Sequence, residues 1–271
     1  MFGVKFASWS KSKPVQCPSV PAGVVGYAIG DVHGCAGLLA PLLDYIRDDP
    51  GGAGGARKVV VCLGDYVDRG PDSRAVIDAL LGLAACGEVE PRFLLGNHES
   101  VLLGFLDDPV GGEAWLGLGG HATLASYGTP APLEGAAPET WRAIRDAFAA
   151  ALPAEHLQFL RSLKPAFELG DYFFVHAGAL PGVPLRRQSP RDLLWIRQLF
   201  LLDSRPFEKV VVHGHTPAAE VHVDHRRIGL DTGAFATGVL SAVRLEGRQR
   251  RIVQARREDI GGAVSIGTID V

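Results

Sequence analysis

The stretch VVVCLGDYVDRGPDS at residues 59–73 carries an apolar run directly into charged side chains. Its valines favour a buried strand, whereas Asp65 and Asp68 are costly to bury without a compensating partner. The same pattern recurs in VVGYAIGDVHG at residues 24–34 and in RFLLGNHES at residues 92–100. One such junction could be an ordinary turn, but three of the same design indicate a shared cause at the ends of buried strands.

The composition indicates a soluble globular protein of one large domain or at most two, since 47% of the 271 residues are hydrophobic and 21% are charged. The formal net charge of −3 provides no general attraction to nucleic acid. The four cysteines form no zinc-binding pattern, and we interpret them as reduced thiols. The sequence shows no signal peptide and no apolar stretch of transmembrane length. We therefore expect a cytoplasmic protein without a membrane partner.

Strands and helices alternate in the first part of the chain. Apolar runs predict strands at 24–29, 58–63 and 92–95, and helical periodicity predicts helices at 36–47, at 73–85 and from about residue 98. Asp31, Asp65 and Asn97 then follow one another at intervals of about 30 residues, the length of one βαβ unit. Because parallel strands joined in this way place their carboxyl ends at one edge of a sheet, we expect the three polar clusters to meet there.

The second part of the chain returns to strands after two helices predicted within 138–163 and separated at Pro153. DYFFVHAG ends near His176, and KVVVHGHTP carries His213 and His215, so both predict buried strands with histidines at their ends. Four short segments predict a mainly antiparallel second sheet: 219–223, 227–231, 238–245 and 249–255. In domain terms, we expect an irregular extension at 1–22, a single domain at 23–258 and a tail at 259–271.

The polar side chains at these strand ends are of the types that bind metal ions: Asp31, His33, Asp65, Asp68, Asn97, His98, His176, His213 and His215. A mixture of carboxylate, imidazole and amide suits manganese, iron or zinc, and the set is too large for one tetrahedral ion. In a two-metal site one carboxylate bridges the ions, and Asp65, central in the strand series, is the natural bridge. Two such ions bind and polarise a phosphate and lower the pKa of a shared water.

Three side chains fit further roles around a phosphate. The guanidinium of Arg69 offers two parallel donors to phosphate oxygens. His98, beside Asn97, is placed to protonate a leaving alkoxide as a general acid. Asp68 is placed to orient His98 and to raise its pKa.

Five motifs in this order resemble the phosphoprotein phosphatase family of calcineurin-like metallophosphoesterases: GDVHG at 30–34, GDYVDRG at 64–70, GNHE at 96–99, HAG at 176–178 and GHT at 214–216. The resemblance implies an α/β fold in which two mixed β-sheets form a sandwich flanked by helices, a four-layer αββα arrangement. The stretch LDTGAFATG at 230–238 is similar to bacterial and phage-type members.

The resemblance also implies how the site residues divide. One metal ion would be held by Asp31, His33 and Asp65, and the other by Asp65, Asn97, His176 and His215. His98 would be the acid, supported by Asp68, with Arg69 on the phosphate. The looser motif DLLWIR at 192–197 implies Arg197 as a second phosphate-binding arginine.

The expected activity is hydrolysis of phosphoserine or phosphothreonine in proteins by direct attack of a metal-bridging hydroxide. We expect two divalent ions, with manganese first and iron or zinc as alternatives. A sister group, the symmetrical bis(5'-nucleosyl)-tetraphosphatases, shares most of these motifs but commonly lacks the acid that is Asp68 here. The presence of Asp68 favours the phosphomonoesterase branch. A dinucleoside polyphosphate or another small phosphate compound is the alternative substrate.

Two features are interpreted in structural terms. His213 is taken as a neighbour of His215 or as a group that supports the site. The arginine-rich stretch at 244–259 would bind a phosphate backbone in a nuclease, but its alternation around Ile252 and Val253 favours a solvated strand face. We therefore expect no nucleic-acid partner.

Overall fold

The computed structural model describes residues 17–51, 55–133, 135–258 and 262–271. Most of the extension predicted at 1–22 lies outside these ranges. In the described residues the strands are β1 Val24–Ile29, β2 Arg57–Cys62, β3 Glu90–Phe93, β4 Ala166–Leu169, β5 Tyr172–Val175, β6 Val210–His213, β7 His222–Val223, β8 Arg227–Gly229, β9 Val239–Glu246, β10 Gln249–Arg257 and β11 Val264–Asp270. The helices are α1 Ala36–Asp48, α2 Ser73–Ala85, α3 Asn97–Asp107, α4 Gly112–Gly117, α5 Gly120–Ser126, α6 Pro138–Ala151, α7 Ala154–Ser162, α8 Pro190–Trp195, α9 Gln198–Leu201 and α10 Ala234–Thr237.

The first sheet has six strands in the order β11-β10-β9-β1-β2-β3. Strands β1, β2 and β3 run parallel to one another, as the βαβ pattern predicts. Strands β9, β10 and β11 extend the sheet in antiparallel fashion from the free edge of β1. The three polar junctions therefore follow the carboxyl ends of adjacent parallel strands.

The second sheet has five strands in the order β4-β5-β6-β8-β7. Strand β6 is parallel to both β5 and β8, and the outer strands β4 and β7 are antiparallel to their neighbours. The carboxyl end of β6 leads into the GHT motif, and the end of β5 leads into His176. His176 and His215, the histidine of the GHT motif, thus reach the same edge of the sandwich.

The prediction of a mainly antiparallel second sheet formed by four late segments is wrong. β7 and β8 do belong to the second sheet, whereas β9 and β10 belong to the first. The reason lies in burial on both faces. Leu240 and Ala242 of β9 pack against the helices, and Val243 and Leu245 pack against the second sheet. Only a position inside the sandwich buries both sets.

Three hydrophobic clusters separate four layers. One lies between the first sheet and the longer helices α1, α2, α3, α6 and α7. The second lies between the two sheets, and the third lies outside the second sheet, under α8 and α9. Alternation along β5 shows the division, because Tyr172 and Phe174 face the first sheet whereas Phe173 and Val175 face the outer layer. The predicted four-layer αββα fold with two mixed sheets is confirmed.

Two further features concern the chain ends and the membrane. The predicted tail at 259–271 contains β11, which pairs with β10 through Arg251 to Arg257. Among the described residues, none of the helices combines the length and the apolar character that crossing a lipid bilayer requires.

Candidate metal centre and catalytic site

The loops that leave the parallel strands hold their polar residues in a left-handed backbone conformation. The φ angles are positive at His33, Asp65, Asp68, Arg69 and His215, with values of 44°, 51°, 70°, 68° and 65°. In the described part of the chain only one other non-glycine residue has a positive φ. Each such conformation costs on the order of 1 kcal/mol and persists only when the surroundings enforce it. The strain is therefore concentrated at the candidate site.

Asp65 lies between two groups of histidines. Its Oδ2 is 3.4 Å from Nε2 of His33 and 3.7 Å from Nε2 of His98. Its Oδ1 is 3.3 Å from Nε2 of His176, and His215 completes that second group. Each carboxylate oxygen of Asp65 therefore faces a different candidate metal group, one with His33 and His98 and the other with His176 and His215.

The buried histidines His33 and His215 carry ring nitrogens that are free to bind a metal. His33 donates from Nδ1 to the carbonyl oxygen of Val67 at 2.8 Å, while its Nε2 has no hydrogen-bond partner among the described residues. Neither ring nitrogen of His215 has such a partner. Burial lowers the pKa of His33 to about 3 and that of His215 to about 2, so both rings are neutral with available lone pairs. Unpaired buried polar atoms of this kind require an explanation, and a bound cation supplies one.

The remaining predicted ligands lie beside these groups. Asn97 places Oδ1 at 2.8 Å from Nε2 of His176. Asp31 lies outside the two geometric groups, and its carboxylate accepts the backbone N–H of His215 at 2.9 and 3.1 Å. A side chain on Gly214 would collide with that carboxylate, since an added Cβ would be 1.9 Å from Oδ1.

Three buried carboxylates stand close together at this edge. Burial raises the pKa of Asp31 well above its ordinary value, and the charges of Asp231 and Asp65 raise it further. Burial likewise raises the pKa of Asp231 to about 6. Desolvated carboxylates next to one another are stabilised by divalent cations. The donor set, with carboxylates, an amide oxygen and free imidazole nitrogens, therefore fits a pair of divalent ions.

His98 differs from His33 and His215 because both of its ring nitrogens have protein partners. Nδ1 lies 2.8 Å from Oδ2 of Asp68, and Nε2 lies 3.2 Å from the guanidinium of Arg69. Burial lowers the pKa of His98, but the carboxylates of Asp65 and Asp68 outweigh it and leave the pKa raised. The imidazole is thus oriented and made basic by Asp68, which suits a general acid better than a metal ligand.

The two predicted arginines lie near different histidines of the site. The guanidinium of Arg69 lies 5.1 Å from the ring centroid of Phe235, which in turn contacts the ring of His33. Arg197 is exposed, its Nη1 lies 3.4 Å from Oγ1 of Thr216, and its charge acts on His176. Each guanidinium therefore lies beside one of the two candidate metal groups.

His213 lies outside both groups. It is buried, its Nδ1 donates to the carbonyl oxygen of Gly214 at 3.0 Å, and its Nε2 accepts from Arg227 at 3.2 Å. Burial lowers the pKa of His213 to about 3. This neutral histidine connects β6 to β8 and does not face the metal groups.

The structure adds a residue that the motifs contained but that sequence reasoning did not assign. Glu99 is fully buried and accepts four backbone N–H groups, from Asp65, Tyr66, Val67 and Gly96. Burial and the charge of Asp65 raise the pKa of Glu99 to about 8, whereas the four donors call for an ionised carboxylate that accepts at both oxygens. Its place three residues after Gly96, where a helix begins, is the capping signal that could have identified it.

Comparison with known proteins agrees with this geometry. The calcineurin-like phosphoesterase family matches residues 27–240 of this chain. A symmetrical bis(5'-nucleosyl)-tetraphosphatase of Legionella pneumophila is 41% identical over 98 residues, covering 34% of this chain and 29% of that protein. The asymmetrical bis(5'-nucleosyl)-tetraphosphatase PrpE of Anoxybacillus flavithermus is 28% identical over 235 residues, covering 80% of this chain and 88% of that protein. The chain spans less than half the length of the symmetrical relatives that it matches.

The fold is shared with solved structures as well. The structure of a candidate diadenosine tetraphosphatase superposes with a TM-score of 0.57 at 20% identity, covering 91% of this chain and 93% of that one. The family match extends over most of the 271 residues and includes all the strand ends described above. The chain therefore belongs to the calcineurin-like phosphoesterase family.

Proposed function

We propose that this chain hydrolyses phosphate monoesters with alkoxide leaving groups, and that its substrates are phosphoserine and phosphothreonine side chains of proteins. The observation that carries the proposal is the complete pair of His98 and Asp68 beside the metal groups, at 2.8 Å. Metal binding alone needs neither the pair nor Arg69. A leaving alkoxide, by contrast, is a strong base and departs readily only when it receives a proton.

The metal groups would bind and activate the reactants. Two divalent cations held by Asp31, His33, Asp65, Asn97, His176 and His215 would bind the phosphate and lower the pKa of water, which supplies the nucleophile. We propose manganese as the preferred ion, because the mixed donor set suits it. Asp65 divides its two oxygens between the groups, which sets their separation.

The remaining side chains act on the phosphate and the leaving group. Arg69 and Arg197 approach from two sides and would neutralise the charge that develops on the phosphate oxygens. Arg69 also contacts Nε2 of His98, so a phosphate that draws Arg69 away leaves this nitrogen free to face the leaving oxygen. Nε2 then takes up a proton from solvent, and Asp68 stabilises the resulting imidazolium. His98 gives this Nε2 proton to the leaving oxygen and returns to the neutral ring.

A dinucleoside tetraphosphate is the second candidate substrate, favoured by the two tetraphosphatase relatives. Two partly exposed aromatic side chains also flank the metal groups. Phe235 lies edge-on to His33 at 5.6 Å between ring centroids, and Trp195 lies edge-on to His215 at 6.2 Å. Exposed rings on either side of a phosphate site are suited to stack with nucleobases.

The two candidates differ in their need for an acid, and this difference decides between them. We would measure initial rates of the manganese-loaded chain on a phosphothreonine peptide and on diadenosine tetraphosphate. We expect faster turnover of the peptide. Replacing His98→Asn should lower kcat on the peptide by about 10²–10⁴-fold and should leave the metal content unchanged. The exposed His121→Asn should behave as the wild type.

Contrary outcomes are equally informative. Preference for the dinucleotide would move the chain to the second candidate, because a nucleotide leaving group is a weak base that departs without protonation. Unchanged turnover of the peptide in His98→Asn would refute the assignment of His98 as the acid.

A further inference from the structure

The segment from α4 to α5, residues 112–126, packs onto the turn that carries Asp68 and Arg69. The indole Nε1 of Trp115 donates to both carboxylate oxygens of Asp68 at 3.1 Å. The hydroxyl of Thr123 donates to Oδ1 of Asp68 at 2.6 Å and accepts the backbone N–H of Asp68 at 2.9 Å. All three residues are fully buried. The segment therefore surrounds the partner of the candidate acid.

These contacts determine which ring nitrogen of His98 donates to Asp68. An indole N–H can only donate, so the Asp68 carboxylate must accept from Trp115. Oδ1 also accepts from Thr123, while Oδ2 lies 2.8 Å from Nδ1 of His98. Nδ1 must therefore carry a proton and donate to Asp68. This places Nε2 of His98 on the side of Asp65 and Arg69, which is the side where a phosphate would bind.

We infer that Trp115 and Thr123 are positioning residues that hold Asp68, and through it His98, so that the protonated Nε2 of His98 delivers its proton to the leaving group. The inference rests on the proposed function, since it concerns the proton-transfer step of that reaction. Trp115 and Thr123 do not touch the metal groups, so their effect passes through Asp68 alone.

The packing around the segment supports a fixed orientation of the indole. A Cβ on Gly120 would be 2.5 Å from the ring of Trp115, and the rings of Phe105 and Phe148 lie at 4.9 and 5.7 Å from it. The ring is thus enclosed on several sides, and its N–H has one direction in which to donate.

Gly119 joins the same segment to the neighbouring phosphate-binding residue. Its φ of +103° is open to glycine, and its carbonyl oxygen accepts the backbone N–H of Arg69 at 3.2 Å. A Cβ at this position would be 2.9 Å from the backbone nitrogen of Arg69. The segment therefore supports both Asp68 and Arg69 from one side.

The experiment removes the hydrogen bonds and keeps the shape. Trp115→Phe deletes the N–H donor, and Thr123→Val deletes the hydroxyl. Each manganese-loaded variant is assayed on a phosphoserine peptide, whose alkoxide leaving group needs a proton, and on 4-nitrophenyl phosphate, whose leaving group does not. We expect kcat on the peptide to fall roughly 10- to 100-fold at unchanged KM. On 4-nitrophenyl phosphate we expect a fall of about threefold or less, since no proton transfer is lost there.

The control separates positioning from packing. Trp141→Phe removes an indole from the same core. Trp141 packs against Phe105 and has no hydrogen bond to Asp68 among the described residues. This substitution should lower the melting temperature without distinguishing the two substrates. Equal losses on both substrates in Trp115→Phe and Thr123→Val, or the same selective loss in Trp141→Phe, would overturn the inference. If Trp115→Phe does not fold, Thr123→Val decides alone.

His98→Asn serves as the reference that keeps two failures apart. If it shows the leaving-group dependence and the Trp115 and Thr123 variants do not, the positioning inference fails and the proposed function stands. If His98→Asn itself affects both substrates equally, the acid assignment fails, and the inference falls with it. Agreement among all three variants, with metal content equal to that of the wild type, supports both.

Discussion

Glu99 accepts four backbone hydrogen bonds, and these bonds indicate how much its carboxylate contributes to the free energy of unfolding. Oε2 accepts the N–H groups of Asp65 and Gly96 at 2.9 and 3.0 Å, and Oε1 accepts those of Tyr66 and Val67 at 2.7 and 3.2 Å. Glu99→Gln keeps the size of the side chain but turns one oxygen into an NH₂ group. Whichever way the amide is oriented, two buried N–H donors then face another donor.

The magnitude follows from these two stranded donors. A buried donor without an acceptor costs about 1–3 kcal/mol, so Glu99→Gln should lower the free energy of unfolding by about 2–6 kcal/mol. This is a large part of the roughly 5–15 kcal/mol that stabilises a typical domain. Because the same bonds hold the loop that carries Asp65, metal affinity should fall as well, by about 10- to 100-fold.

Urea denaturation measures the first effect and metal titration measures the second. Unfolding is followed with excess EDTA, so that metal affinity does not enter, and at about pH 9, above the pKa of Glu99, so that the carboxylate is charged. The exposed Glu220→Gln serves as the matched control and should change the stability by about 0.5 kcal/mol or less. A loss below about 1 kcal/mol in Glu99→Gln would refute the reasoning, because two unsatisfied donors cannot cost so little.

Two further changes test contacts near to and far from the metal groups. Phe235→Leu removes the ring beside the guanidinium of Arg69, a contact worth about 0.5–1 kcal/mol, so KM for the peptide should rise about two- to fivefold in steady-state assays. Asp49 accepts hydrogen bonds from Arg244 and Tyr27, which outweigh burial and leave its pKa lowered. Asp49→Asn should cost about 1–3 kcal/mol at pH 7, measured by urea denaturation. A lowered pKa stabilises the folded state only above the unfolded value, so the difference should shrink below about pH 4. A difference that is constant with pH would contradict the charge of Asp49 as its cause.

Much of the first sheet could be predicted because its pattern is local. Strand β1 and helix α2 have the predicted bounds, since an apolar run and a helical period can each be recognised within a short stretch of sequence. The local sequence did not indicate to which sheet β9 and β10 belong. Their apolar residues show that they are buried on both faces, but not which neighbour they pair with, because strand pairing is set by contacts distant in sequence.

The clustering of polar side chains at the strand ends could be predicted from motifs, whereas the contacts that support these side chains could not. Asp65 and His33 stand in short signatures whose residue types suit metal binding. Trp115 and Thr123 contact Asp68 across 47 and 55 positions, and nothing in the local pattern around them indicates a partner. Positive φ angles at residues such as Asp68 are also invisible to propensity, since the fold enforces them against the preference of the side chain.

Metal binding and proton delivery have separate supports that meet at His98. Glu99 holds the backbone of the Asp65 loop, while Trp115 holds the carboxylate of Asp68. The backbone N–H of His98 donates to Oδ1 of Asp65 at 3.2 Å, and its side chain bonds to Asp68. A displacement of Asp65 therefore moves His98 too, whereas loss of an Asp68 contact leaves Asp65 in place. It follows that changes at Glu99 should impair both metal affinity and turnover, and changes at Trp115 turnover alone.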